Sequence, residues 1–423
     1  MAKIAIWPDI YKEQGHWLPC ITLAKTLKDM GHTVRFMGIE DCASIVQPYH
    51  GDFDTIMKKI YPLGYSFENK LEPVDQRWKP HHLLPLMRGE VDIPFSGANQ
   101  PDLLIGGYFT SLETLLLRYK YGLKIALITT YLRHPQDDPA LFAKTKLIHM
   151  PQAVARKLMD GVLAPADQGM SIDKFVAPLQ DVKEMIPCPK EFDYSDPDWV
   201  HKAQVKYVEP MIVRSSLTSA AITLPDPITI PPGKTLLYAT SGSMVQDYES
   251  RARVFFRNLI SMMQTQNMDA YYLVIGAGAR VAAQLRAEYG LVLGGQSTLP
   301  SNVVIRDWVS QIDVLGNPAA AAFMHGGLAT IKESIWEQVP IIIVPHGKDQ
   351  MDNARRISRA GVGLVSQVGE LGPEQLRGLL TTATTSTWIK QNLVKFAGLL
   401  HAEDDKAASA KLSVGVINGV LSS

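Results

Sequence analysis

Short apolar runs alternate with amphipathic segments of helical length along most of the chain, and the plan occurs twice. Residues 3–7, 33–37, 102–105 and 124–128 read as strands, as do 236–239, 272–275, 321–324 and 341–344. Between the first two, residues 17–30 repeat Trp17, Ile21, Ala24 and Leu27 at helical spacing. Pro19 suits a first turn there, and Gly31 a stop. Helices are also expected over 248–264, 328–337 and 350–359. Apolar strands separated by helices imply parallel sheets covered on both faces, an α/β class with doubly wound sheets.

At 423 residues the chain has room for two domains of about 200 each. Residues 215–234, with Pro225, Pro227, Pro231 and Pro232, read as a linker between a first domain (1–214) and a second (235–402). Residues 403–423 look helical. Residues 61–100 are irregular, holding five prolines and the pair His81-His82, and read equally as a substrate lid or a surface excursion. Residues 196–203 look like a connecting segment. Two doubly wound domains should leave a cleft, with ligands at the carboxyl ends of strands.

Composition narrows the function. Forty-two basic side chains balance forty-two acidic ones, which removes the electrostatic case for a nucleic-acid partner or a polybasic membrane anchor. Three cysteines, Cys20, Cys42 and Cys188, have neither metal-type spacing nor the number for a disulfide framework. No apolar stretch reaches the roughly 18 residues of a membrane span, and the start does not read as a signal peptide. A cytoplasmic protein without an integral membrane segment is expected; the oligomeric state is not legible.

The most informative segment is 307–363. The strand ending at Met324 runs into His325-Gly326-Gly327 and then a helix from Leu328. Glycines admit close backbone approach, and the free N–H groups of a helix start favour an anion. His325 adds a donor and Thr330 a hydroxyl. Glu333 shares the Thr330 face and could accept hydrogen bonds from a ribose. Taken singly, His-Gly-Gly is a tight turn, Glu333 a solvated helix residue and Trp308 a core residue. A second candidate, Gly15-His16-Trp17-Leu18-Pro19, meets its helix after the first strand, where an imidazole can accept a hydroxyl proton at neutral pH.

The ordered set resembles the UDP-glycosyltransferase superfamily, inverting enzymes of the bacterial natural-product type on the GT-B fold of two Rossmann-like domains. Trp308-Val309-Ser310-Gln311 matches its Trp-x-x-Gln element. His325, Gly327, Thr330 and Glu333 follow, then Val339-Pro340 and Asp349-Gln350. Ser241-Gly242-Ser243 matches the family's turn facing the donor, and Gly15–Pro19 its Gly-His-x-x-Pro element. The resemblance implies that Trp308 stacks on the base, Gln311 and Glu333 hold the ribose, and His325 and Thr330 hold the phosphates. Asp349 and Gln350 would bind sugar hydroxyls, and His16 would be the general base. Val309, Gly326 and Ala329 join this donor-site set. Asp349 reads equally as a helix N-cap. The final helix would cross back to the first domain.

The reaction so implied is transfer of a hexose, glucose first, to a hydroxyl of a small apolar acceptor. The co-substrate is a UDP-sugar, with a dTDP-sugar second because Glu333 suits a ribose 2′-hydroxyl. No other cofactor and no metal are expected. Two departures stand out. Leu328-Ala329 replaces an apolar–Asn pair. Gly107 takes the position of the Asp that orients the base, so Asp9 or Glu113 would have to substitute, or His16 acts alone. A nucleotide-sugar epimerase on the same fold and a non-catalytic nucleotide-sugar-binding partner are the alternatives. Ile275–Arg280 imitates a dinucleotide fingerprint but has Val281 at the third glycine position.

Overall fold

The computed structural model describes residues 1–64, 83, 95, 97–213, 228–243, 245–290, 297–367 and 371–423. Most of the irregular segment 61–100, and residues 215–227 of the expected linker, lie outside them. The chain divides into two compact units, residues 1–213 with 403–423, and residues 214–402.

The first unit is built on seven parallel strands. They are β1 (Lys3–Trp7), β2 (Thr33–Gly38), β3 (Phe53–Thr55), β4 (Leu103–Gly107), β5 (Lys124–Ile128), β6 (Glu184–Ile186) and β7 (Val205–Tyr207). Their order is β3-β2-β1-β4-β5-β6-β7. In β1 and β4 every residue but Lys3 is buried, which is why these strands read as unbroken apolar runs rather than alternating ones.

The helix between β1 and β2 spans Gln14–Asp29, starting a turn earlier than expected. Pro19 therefore lies inside it rather than in its first turn. Lacking an N–H, Pro19 leaves the carbonyl of Gly15, four residues before, without its usual helical partner, a loss confined to the first turns of the helix. Gly31, at φ +85°, closes the helix, its N–H bonding to Lys28 O at 2.9 Å.

The last segment is not one helix. Thr387–Asp404 ends at Asp404, and a separate helix, Leu412–Ser422, packs against β5, β7 and Gln14–Asp29. It is pinned at both ends. Lys124 Nζ donates to Leu421 O at 2.6 Å, and Ser413 N donates to the buried Glu209 carboxylate at 3.2 Å, with the Ser413 hydroxyl on its other oxygen.

The second unit holds six parallel strands: β8 (Thr235–Thr240), β9 (Tyr271–Gly276), β10 (Val303–Arg306), β11 (Ala319–Met324), β12 (Ile341–Ile343) and β13 (Gly363–Val365). Their order is β10-β9-β8-β11-β12-β13. Phe255, Phe256, Leu259 and Ile260 of the helix Glu249–Met263 bury against Leu237, Ala239, Leu273 and Phe323. Truncating either phenylalanine to alanine would cost about 3–5 kcal/mol.

In both sheets the first strand pairs with its second on one side and its fourth on the other. The chain reverses its direction of travel across the sheet at β1/β4 and at β8/β11, and such switch points are where open α/β sheets receive ligands at their carboxyl ends. The dinucleotide-like Ile275–Arg280 follows β9, one strand away from that point. Cys20, Cys42 and Cys188 are buried and form no disulfide among the described residues. Among the described residues, no helix is long and apolar enough to cross a membrane.

Candidate active site

At the β8/β11 switch point, Thr240 pairs with Met324, so Ser241-Gly242-Ser243 and His325-Gly326-Gly327 leave adjacent strands side by side. The turn is shaped around the His325 ring. A Cβ on Gly242 would lie 2.5 Å from His325 Cε1, and one on Gly327 would lie 2.7 Å from Nε2. Gly242 (φ +75°) and Gly326 (φ +106°) also adopt backbone conformations that disfavour side chains. Ser241 is fully buried, whereas Gly242 and Ser243 are half-buried.

His325 is 7% exposed, and its Nδ1 is buried without a hydrogen-bond partner. Burial and the neighbouring His346 push its pKa down to about 3, so it stands neutral and can donate a single hydrogen bond. The helix Leu328–Trp336 begins immediately after. Gly327 occupies its N-cap without a side-chain cap, so the first turn presents its N–H groups uncapped. Ala329 is half-buried on that turn. A buried neutral imidazole beside an uncapped helix start suits a phosphate group.

A second cluster gathers around Gln311. Its Oε1 accepts from Tyr238 Oη and from Thr330 Oγ1, both at 3.1 Å, and its Nε2 donates to Glu333 Oε2 at 3.0 Å. The Gln, Thr and Glu of the sequence pattern are thus directly hydrogen-bonded. The Thr330 proton points at Gln311 in this arrangement. Glu333 is half-buried. Burial pushes its pKa up to about 7, opposed by Lys332 and by the Gln311 hydrogen bond. Trp308, three residues before Gln311, keeps 40% of its surface exposed, while Val309 beside it is buried against Gly276. An exposed indole is a flat face for a planar ligand.

Asp349 does not cap the following helix, Gln350–Ala360. Its backbone is already near-helical (φ −73°, ψ −2°), unlike the extended conformation of a capping residue, and its carboxylate accepts Asn353 Nδ2 at 3.0 Å. Asn353 Nδ2 also donates to Gly326 O at 2.9 Å, tying Asp349 to the glycine turn. Gln350 Oε1 is taken by the N–H groups of His346 (2.7 Å) and Gly347 (3.0 Å). Only its Nε2 remains for other partners.

Sequence reasoning missed His346, Asn353 and Tyr238. His346 is buried, with Nε2 3.1 Å from Ser241 Oγ, and burial lowers its pKa to about 4. Asn353 had a signal, standing one helical turn beyond Asp349. Tyr238 had none, as an aromatic in a strand.

The other switch point, β1/β4, holds the base candidate. Asp9 follows β1, and its Oδ2 lies 2.5 Å from His16 Nδ1, with side chains 5% and 12% exposed respectively. Asp9 Oδ1 accepts Tyr11 N at 3.1 Å, fixing the carboxylate. Of the two substitutes weighed for the missing acid, Glu113 is excluded. It is fully buried and pairs with Lys146 Nζ at 3.1 Å, which also donates to Phe109 O. Gly107 could not hold an acid in this backbone, because its Cβ would fall 1.7 Å from Pro8 O.

Donor atoms of Asp9, Glu13 and His16 lie within 4.8 Å of one another. The 2.5 Å Asp9–His16 contact is nevertheless a hydrogen bond, closer than the roughly 3 Å separating two ligands of one zinc. Phe109 stacks on His16 (5.3 Å, 26°) and Tyr131 on Phe109 (5.6 Å, 18°), making an aromatic wall beside the imidazole.

Residues 294–407 match the family model described as UDP-glucoronosyl and UDP-glucosyl transferase. Among known proteins, this chain is 36% identical to UDP-glucuronosyltransferase 1A8 of Rattus norvegicus over 104 residues, 24% of this chain and 20% of that one. It is 35% identical to UDP-glucuronosyltransferase 1A9 of Homo sapiens, again over 104 residues, with 24% and 20% covered. The match therefore spans about a fifth of the length of these relatives.

In fold, the chain is similar over its whole length to the glycotransferase of kitacinnamycin (TM-score 0.73, 18% identity, 99% of this chain and 98% of that one). It is likewise similar to the spinosyn rhamnosyltransferase SpnG complexed with thymidine diphosphate (TM-score 0.64, 16% identity, 99% and 100% covered). The superfamily resemblance and the GT-B fold read from the motifs are both borne out.

Proposed function

We propose that this chain, a GT-B fold whose residues 294–407 carry the UDP-glycosyltransferase family signature, is a glycosyltransferase. It moves a hexosyl group from a nucleoside diphosphate sugar to a hydroxyl of a small acceptor, with inversion. The observation that carries this reading is the hydrogen-bonded set Gln311–Thr330–Glu333 below the uncapped turn at His325. Trp308 offers its face to the base. Glu333, steadied by the Gln311 amide, accepts the ribose hydroxyls. His325 and the N–H groups of the helix start hold the diphosphate, and Asp349 with the Gln350 Nε2 addresses the sugar.

In the chemical step the acceptor hydroxyl gives its proton to His16 Nε2 as its oxygen bonds to the anomeric carbon. The bond from that carbon to the diphosphate oxygen breaks, and its electron pair leaves with the diphosphate. Charge growing there is met by preorganised donors, an arrangement commonly worth several kcal/mol of barrier. Asp9 holds the imidazole in the tautomer protonated at Nδ1 and stabilises the imidazolium that forms. This contact also answers the motive for a non-catalytic binding role, the vacant acid position at Gly107.

The Glu333 carboxylate favours UDP, whereas the thymidine diphosphate in one similar structure keeps dTDP as the second donor class. A thermal-shift screen of UDP, dTDP and GDP tests the reading. UDP is expected to raise Tm most. If no nucleoside diphosphate raises it, the donor site is wrong. Incubation with UDP-glucose alone, followed by product analysis, separates transfer from epimerisation.

A further inference from the structure

Gln311 touches Tyr238, Thr330 and Glu333, and the chemistry of its amide fixes the direction of each bond. An ionised carboxylate only accepts hydrogen bonds, so the end of the amide 3.0 Å from Glu333 Oε2 must be Nε2. The amide oxygen therefore faces the other way, where Tyr238 Oη and Thr330 Oγ1 each stand at 3.1 Å. Both hydroxyls must donate to it.

A hydroxyl has one proton to give. With that proton on Gln311, Thr330 has none for a phosphate oxygen, which also only accepts. Tyr238 is 1% exposed on β8, so its hydroxyl is sealed from water. A phenylalanine ring would fill the same space; what the oxygen adds is the bond to Gln311.

We propose that Tyr238 and Thr330 are positioning residues of the ribose subsite: through Gln311 they hold Glu333 for a 2′-hydroxyl, and Thr330 donates nothing to the diphosphate. The inference rests on the donor-site reading above. Two donors on its oxygen and one acceptor at its nitrogen pin the amide at both ends. The amide in turn fixes Glu333 Oε2 and leaves Oε1 to accept from the ribose. Removing either hydroxyl lets the amide turn, and a carboxylate that is no longer held discriminates less between nucleosides.

The test is calorimetric titration of the whole chain with UDP and 2′-deoxy-UDP at pH 8, where Glu333, its pKa pushed up to about 7, is largely ionised. The wild-type protein should bind UDP about 10-fold more tightly, the scale of a hydrogen bond to a charged group. Tyr238→Phe and Thr330→Val each replace a hydroxyl at nearly constant volume. Each should weaken UDP about 3-fold and leave 2′-deoxy-UDP nearly unchanged. The double variant should bind the two nucleotides equally. Thr330→Ser, which keeps the hydroxyl, should keep the preference.

A phosphate contact from Thr330 gives a different result: Thr330→Val would weaken both nucleotides alike and preserve their ratio. That outcome overturns the proposal, as does an unchanged preference in Tyr238→Phe. Either result, with UDP still bound by the wild-type protein, leaves the donor-site reading standing. Equal affinity of the wild-type protein for the two nucleotides would remove the ribose contact of Glu333 and the proposal with it. Failure of both to bind would overturn the donor-site reading itself.

Discussion

A methyl group on Gly107 would sit 1.7 Å from the carbonyl oxygen of Pro8, while the residue after that proline, Asp9, reaches His16 at 2.5 Å. An acid after β1 therefore stands where it can steady the proposed base, while the end of β4 has no room for one. Asp9→Asn should lower kcat by about 10²–10⁴-fold and leave the Kd for UDP unchanged. Gly107→Asp should not rescue it, and should lower Tm by several degrees because a backbone atom has to move. Steady-state kinetics and thermal melts of the single and double variants check both outcomes.

Glu333 gives a pH signature. Its folded pKa, about 7, lies above the ordinary 4.5, so the unfolded chain ionises first. The stability this group contributes is fully present below pH 4.5 and is lost as pH rises through about 7. Glu333→Gln removes that dependence. It should melt above the wild-type protein at pH 8, by about 2 °C, with the difference shrinking toward pH 5, and it should bind UDP more weakly. A wild-type advantage at pH 8 would contradict the sign.

Gly327 and His325 should act as one unit. Gly327 has an ordinary φ, so alanine there is not strained by its backbone; it strikes the imidazole 2.7 Å away. Gly327→Ala should weaken UDP binding about 10-fold, and so should His325→Ala. The double variant should be little worse than either, because each change removes the same contact. Calorimetric titration of UDP completes the cycle; additive losses would separate the two residues.

Trp308 should report occupancy. Stacking on a base is worth about 1–3 kcal/mol, so Trp308→Ala should raise the Kd for UDP roughly 5- to 150-fold. Indole fluorescence of the wild-type protein should change on titration with UDP but not with inorganic diphosphate, which lacks a base. A response to diphosphate alone would argue against stacking.

The sequence carried the long elements well. Residues 3–7 and 124–128 became β1 and β5 without adjustment, because both are apolar runs bounded by polar residues. The three-residue strands β3, β6, β7 and β13 were missed, being too short to show a period. Strand order was also hidden, since nothing within a strand names its neighbour.

In the site, Thr330 and Glu333 were legible because three residues is one helical turn, and Gln311 joins them as the motif suggested. The Asp9–His16 contact was not. The pair stand seven positions apart across a loop and a helix start, and nothing in the sequence says that Lys146 holds the alternative acid, Glu113. His346 was hidden because a histidine after a Val-Pro strand gives no sign that it packs beside His325.

The bond between Glu209 and Ser413 reaches across 204 positions of sequence. Glu209 is 1% exposed, and Ser413 meets both of its carboxylate oxygens, one with its backbone N–H and one with its hydroxyl. The helix Leu412–Ser422 belongs to the seven-stranded half, which gains its full set of contacts only after the six-stranded half has been synthesised. Cutting the chain after residue 402 would therefore leave the six-stranded unit whole but strip the seven-stranded one of a helix.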